Sequence, residues 1–155
     1  MTVNLADGGA DDLDSVMEVM KAAFSDRYGE AWTRSQCAGI LPMAGVGLTL
    51  ARDSGDKVVG FALSRTVVDD CELLLLAVDP RVQGHGVGRA LLGHFIDQAK
   101  KNGATRIHLE VRDGNPAIRF YEAAGFVQSN RRPNYYQGHD GSKFDALTFL
   151  LDCKQ

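Results

Sequence analysis

A chain of 155 residues, 45% hydrophobic and 24% charged, is long enough to bury a core without disulfides or a structural metal, and it reads as one domain over residues 1–155. Those proportions exclude a disordered tail, a collagenous chain and a coiled coil. A formal net charge of −3 argues against nucleic-acid binding through a broad basic surface, and no apolar run approaches the ~20 residues that span a bilayer.

Leu13, Val16, Met17, Met20 and Phe24 recur at helical spacing over 11–24, behind Asp11, Asp12 and Asp14, where a helix dipole favours negative charge. A second helix is predicted over 30–40, ending before Pro42. Residues 46–52 and 57–67 read as the strands of a hairpin around Asp53 to Asp56. The run 71–79, with Leu73 to Leu76 and Val78, has the nearly unbroken apolar pattern of a strand buried on both faces. Over 86–102, Val87, Leu91, Leu92, Phe95, Ile96 and Ala99 form one helical stripe, closed by Asn102-Gly103. Residues 105–111 alternate, with Ile107, Leu109 and Val111 on one face and Arg106, His108 and Glu110 on the other. Asn115-Pro116 opens a helix to about Ala124, and strands near 126–135 and 144–151 close the chain. The order implies a mixed α/β (α+β) sheet with a βαβ crossover in its middle.

Cys37, Cys71 and Cys153 are odd in number and form no CxxC, and the start MTVNLADGG lacks the basic flank and apolar core of a signal peptide. Reduced thiols in a cytoplasmic protein are expected. His85, His94, His108 and His139 have no metal-ligand spacing, so no metal is expected.

The stretch with most chemical content runs from Leu76 to Arg89. A buried strand ends at Pro80, the loop Gln83-Gly84-His85-Gly86 follows, and a helix opens at Val87. Glycines let backbone N–H groups turn toward one point, and a helix N-terminus carries about half a positive charge, so this is an anion site suited to a phosphate or pyrophosphate. Arg89 adds a charged donor. A P-loop would need Lys-Ser/Thr where Arg89-Ala90 stands, and a dinucleotide fingerprint would need a third Gly at Arg89. On the glycines alone, a plain strand-to-helix turn stays open beside the anion site.

Gln83-Gly84-His85-Gly86-Val87-Gly88 resembles the Q/R-x-x-G-x-G/A signature of the GCN5-related N-acetyltransferases, which binds the pyrophosphate of acetyl-coenzyme A. The likeness extends through Leu109-Glu110-Val111-Arg112, Asn115 and Phe120 to Phe126, strongly over about residues 65–151 and in outline before that. Within the family, the run from Glu110 to Tyr136 is most similar to the ribosomal-protein alanine N-acetyltransferase (RimI-like) group. The resemblance implies a central mixed sheet with helices on both faces and a cofactor cleft where strands four and five splay apart. It implies acetyl transfer from acetyl-coenzyme A to a protein N-terminal α-amine, with a ribosomal protein as the expected partner and neither nucleic acid nor membrane. The backbone of Leu76, Ala77 and Val78 would pair with the pantetheine arm, and Gln83, Gly84, His85, Gly86, Val87, Gly88 and Arg89 would hold the pyrophosphate.

Glu110 matches the general-base position, against a plain salt bridge to Arg112 or Arg106, with Glu72 as the rival base. Tyr121 matches the general acid for the departing sulfur and would also touch the cofactor; the alternative is a core tyrosine. Asn115 is expected to cap its helix and to reach the cofactor arm. Tyr135 and Tyr136 resemble paired tyrosines of the peptide groove, and strand alternation would let only one face it. Trp32 is a second groove wall or a core anchor. Two other functions stay open: acetylation of a small-molecule amine or a lysine, and a catalytically silent acyl-coenzyme A-binding module.

Overall fold

The computed structural model describes residues 2–154. Strand β1 (Asn4–Asp7) leads through a short 3-10 turn (Ala10–Asp12) into α1 (Leu13–Ala23), followed by α2 (Arg34–Ile40), β2 (Val46–Arg52), β3 (Val58–Val67) and β4 (Asp70–Val78). A second 3-10 turn (Pro80–Val82) precedes α3 (Val87–Lys101), β5 (Arg106–Arg112), α4 (Ala117–Ala123), β6 (Val127–Gln137) and β7 (Lys143–Asp152). Among the described residues one sheet contains all seven strands in the order β1-β2-β3-β4-β5-β7-β6, and only β4 and β5 pair in parallel, with α3 as their crossover. The expected mixed sheet and central βαβ unit are both present.

Strand β1 has no counterpart in the sequence reading. Its four residues are exposed or half-buried, and an edge strand that short leaves no apolar alternation to read. The helix expected from residue 30 begins only after Thr33, whose hydroxyl accepts from the Gln36 N–H while the Gln36 side chain accepts from the Thr33 N–H.

The sheet divides two apolar cores. Val16, Val19 and Met20 of α1 and Cys37 of α2 pack with Leu50, Phe61 and Leu63 on one face. Leu91, Leu92 and Phe95 of α3 and Tyr121 of α4 pack with Ile107, Leu109 and Phe149 on the other. Each such fully buried leucine or phenylalanine contributes about 1.5–3 kcal/mol of apolar transfer energy. Among the described residues no helix is long and apolar enough to cross a membrane.

Two irregularities shape the site. Leu63 pairs with Leu75 while Ser64 pairs with Leu73, so Leu74 is an extra residue in β4. The β4–β5 ladder runs only from Asp70–Arg106 to Leu73–Leu109, and beyond it the strands part. β4 is therefore not buried on both faces along its length, because Glu72, Leu74 and Leu76 stay half-buried and line the opening. In β6 the register slips between Arg132 and Tyr136, with Asn134 at φ 54°.

Candidate active site

The wedge between the parted strands is a cavity of about 920 Å³. Leu73 to Val78 form one wall, Leu109 to Arg112 the other, and the glycine loop closes one end.

That loop is anchored from below. Asp79 accepts the Arg81 N–H at 3.0 Å and takes the Arg81 guanidinium on both oxygens, Nη2 lying 2.6 Å from Oδ2. These hydrogen bonds hold the Asp79 carboxyl down at about 2. Gly84 and Gly86 have φ of +84° and +82°, and the space a Cβ would enter is open at both. The first-turn N–H groups of α3 have no partner inside the helix. Gln83, Gly84, Gly86, Val87, Gly88 and Arg89 line the cavity, whereas His85 is exposed and does not. A pyrophosphate fits this cradle: it is open, bounded by backbone donors, and edged by Arg89.

Tyr121 enters from α4. Its ring is wedged edge-on against Phe120 and Phe126, with centroids 5.3 and 5.9 Å away, and it lines the cavity. Burial, aided by the charge of Glu30, pushes its phenol up to about 12, so it keeps its proton at neutral pH.

The polar face of β5 is a ladder of paired groups. Arg106 donates to Asp70 at 2.9 Å. His108 meets Asp70 at 2.9 Å and lies 3.7 Å from Glu72. Glu110 accepts from the Thr148 hydroxyl at 2.7 Å and pairs with Arg132 Nε at 3.1 Å. Arg112 pairs with Glu30 at 3.3 Å, both nearly buried, and stacks 3.5 Å above the Tyr28 ring. The salt bridge to Arg112 or Arg106, the alternative to the general-base reading of Glu110, is thus not made. Arg132 stands across the sheet on β6 and is the partner instead.

Asn115 makes the capping contact expected of it and a second, unexpected one with Glu30, and it lines the cavity. Its Oδ1 accepts the Ala117 N–H at 2.8 Å, and its Nδ2 donates to Glu30 at 2.8 Å. Glu30 and Tyr28 were not foreseen. They sit between α1 and α2 in a segment without periodicity, and only the fold sets them above β5. That segment is seated on the β6–β7 turn: the His139 N–H donates to the Asp26 carbonyl at 3.2 Å, and Tyr28 packs edge-on against Phe144. A Cβ on Gly29 would run into the Gln137 carbonyl, and one on Gly138 into that of Arg27.

Tyr135 and Tyr136 both line the cavity, contrary to the alternation argument. The register slip at Asn134 breaks the period of two, and the rings meet edge-on at 5.0 Å. Burial, then the charges of Glu110 and Glu72, raises the Tyr135 phenol. Tyr136 is raised in the same way by burial, then Glu30. Trp32 packs against the α1–α2 core and also lines the cavity. Cys71 is buried and accepts from the Thr66 hydroxyl, and burial raises its thiol.

A split parallel pair, a glycine loop at the head of α3 and a mixed sheet between two helical layers define an acetyltransferase architecture, and the chain belongs to the Acetyltransferase (GNAT) family, whose pattern it matches over residues 13–126. It is similar to the [Ribosomal protein bS18]-alanine N-acetyltransferase of Escherichia coli strain K12, 44% identical over 96 residues, or 61% of this chain and 64% of that protein. The namesake from Salmonella typhimurium is 40% identical over 108 residues, 67% of this chain and 73% of that one. The match thus spans a little under two thirds of the E. coli relative's length. In three dimensions the crystal structure of the ribosomal-protein-S18-alanine N-acetyltransferase from E. coli superposes with a TM-score of 0.89 at 31% identity, over 99% of this chain and 96% of that one.

Proposed function

We propose that the protein is an acetyl-coenzyme A-dependent N-acetyltransferase that modifies the N-terminal α-amine of a protein, a ribosomal protein in the first instance. The observation that carries this reading is that Glu110 and Tyr121 line one cavity with the glycine loop, where β4 and β5 part. Identity to the bS18-alanine enzymes supports the acceptor class.

Acetyl-coenzyme A, when bound, supplies an acetyl group activated as a thioester. Backbone donors from Gly84 to Arg89 hold its pyrophosphate, and the open edge of β4 at Leu76, Ala77 and Val78 receives the extended arm. Glu110 accepts the proton that the acceptor nitrogen loses as the new C–N bond forms. Thr148 and Arg132 hold that carboxylate in one orientation. Tyr121 keeps its proton until the C–S bond breaks, then donates it to sulfur. An α-amine, with a free pKa of about 7.7–8.0 against about 10.4 for lysine, asks only modest basicity of one carboxylate. Tyr135, Tyr136 and Trp32 form the walls through which an extended chain end enters.

The test is coenzyme A release with two peptides of one sequence, each with internal lysines, one with a free small N-terminal residue and one acetyl-blocked. Turnover is expected on the free peptide alone. Equal turnover on both would make lysine the acceptor, and turnover only on polyamines would make it a small amine.

A further inference from the structure

Acetylation of an ammonium acceptor releases one net proton per turnover. The nitrogen loses two, one to make it nucleophilic and one as the amide forms, and sulfur takes back one. The remaining proton must leave the groove. Glu110 is poorly placed to release it, because its side chain is only 8% exposed and both oxygens are engaged.

Beside it lies a second set of groups. Glu72 lines the same cavity, and its charge acts on Tyr135 together with that of Glu110. Its Oε2 is 3.7 Å from Nε2 of His108, a gap that a small side-chain rotation closes. The other ring nitrogen, Nδ1, lies 2.9 Å from Asp70, and Arg106 grips the second Asp70 oxygen at 2.9 Å. Burial alone would raise Asp70, but the hydrogen bonds from Arg106 and His108 outweigh it and leave it below its usual range. An ionised Asp70 accepts, so Nδ1 carries the hydrogen and Nε2 is the free acceptor. The charged groups facing His108 are Asp70 and Glu72 of β4 and, on its own strand, Arg106 and Glu110. Opposite it β7 presents Leu150, and Arg65 of β3 stands across from Glu72.

We propose that Glu72, His108 and Asp70 form a proton outlet from the acceptor groove to solvent. Resting on the acetyltransferase reading, the outlet works in three transfers. First an N–H bond of the ammonium acceptor breaks as an O–H bond forms on Glu72, which lines the same cavity; that O–H bond next breaks as an N–H bond forms on His108 Nε2, with Asp70 balancing the imidazolium. Then Nε2 passes that proton to bulk water, to which the His108 side chain is 26% exposed. His108 and Asp70 do not line the cavity and act through Glu72, so they are positioning and relay groups.

The experiment measures kcat and KM across about pH 6 to about pH 9 with whichever amine the wild-type chain acetylates. His108→Gln is expected to lower kcat about tenfold, to leave the KM for acetyl-coenzyme A within about twofold, and to change the shape of the kcat–pH profile. Added imidazole should restore part of the rate. Glu72→Gln should give the same loss, and the double variant no more than either single, since the groups act in series. Should His108→Gln fail to fold, the Glu72→Gln profile decides. Wild-type kcat with an unchanged pH profile in the folded variants overturns the outlet and leaves the acetyltransferase reading standing. A wild-type chain that acetylates no amine overturns both.

Discussion

The two halves of the cleft are built from different materials. The half we assign to the donor is backbone: the open edge of β4, the glycine loop and the first turn of α3, within one stretch from Leu76 to Arg89. The half we assign to the acceptor and the chemistry is side chains from many elements: Glu30 from the α1–α2 segment, Glu72 from β4, Glu110 from β5, Tyr121 from α4, and Tyr135 and Tyr136 from β6. A backbone site tolerates variation in most of its side chains and fails where a glycine is lost. A side-chain site fails one function at a time.

Tyr121→Phe should separate the halves most widely. Loss of the phenol proton is expected to lower kcat by ~10²–10⁴-fold while acetyl-coenzyme A still binds, and a fall below about threefold would leave Tyr121 as core packing only. Gly86→Glu tests the other half. It forces a side chain into φ +82°, a strain of about 1–2 kcal/mol, and sets a carboxylate at the head of α3. Calorimetry should show acetyl-coenzyme A affinity down by more than about 100-fold, and an unchanged affinity would put the pyrophosphate elsewhere.

Glu30→Ala asks how far the acceptor half depends on its buried pair. It leaves Arg112 without its carboxylate and Asn115 without an acceptor, and urea unfolding should report a loss of about 2 kcal/mol with donor affinity unchanged. A loss under about 0.5 kcal/mol would mean that Tyr28 and the Asp113 carbonyl suffice to hold Arg112. The smallest effect belongs to Asp79→Asn. The folded carboxyl at about 2 lies below the ordinary ~3.9, so its stabilisation is complete above ~4 and is lost as pH falls toward about 2. The denaturant midpoints of wild type and variant should therefore differ at neutral pH and converge on acidification. A constant gap would remove the charge of Asp79 from the account.

Legibility followed the same division. The donor half is contiguous, and its glycine spacing reports a backbone shape, so Gln83 to Arg89 was readable in place. The long helix α3 and the alternation of β5 were equally plain, because a local period of 3.6 or 2 produces them. The acceptor half depends on which distant segments the sheet order brings together. Nothing near Glu30 signals that it will meet Arg112 and Asn115, and nothing near Glu110 names Arg132 as its partner. The slip at Asn134 breaks the period of two on which the Tyr135–Tyr136 expectation rested, and the parting of β4 from β5 leaves half-buried an apolar run that read as covered on both faces.

The seat of the α1–α2 segment on the β6–β7 turn has a consequence for how acceptor preference can change over time. Gly29 and Gly138 bring two main chains so close that neither segment can gain a side chain there, or shift, without the other yielding. The two walls of the groove are one mechanical unit, although more than a hundred residues of sequence separate them. A new acceptor is then reached more easily by exchanging rings within the groove, at Trp32, Tyr135 or Tyr136, than by remodelling either segment. Transplanting one segment from a relative without its counterpart would set two backbones in collision.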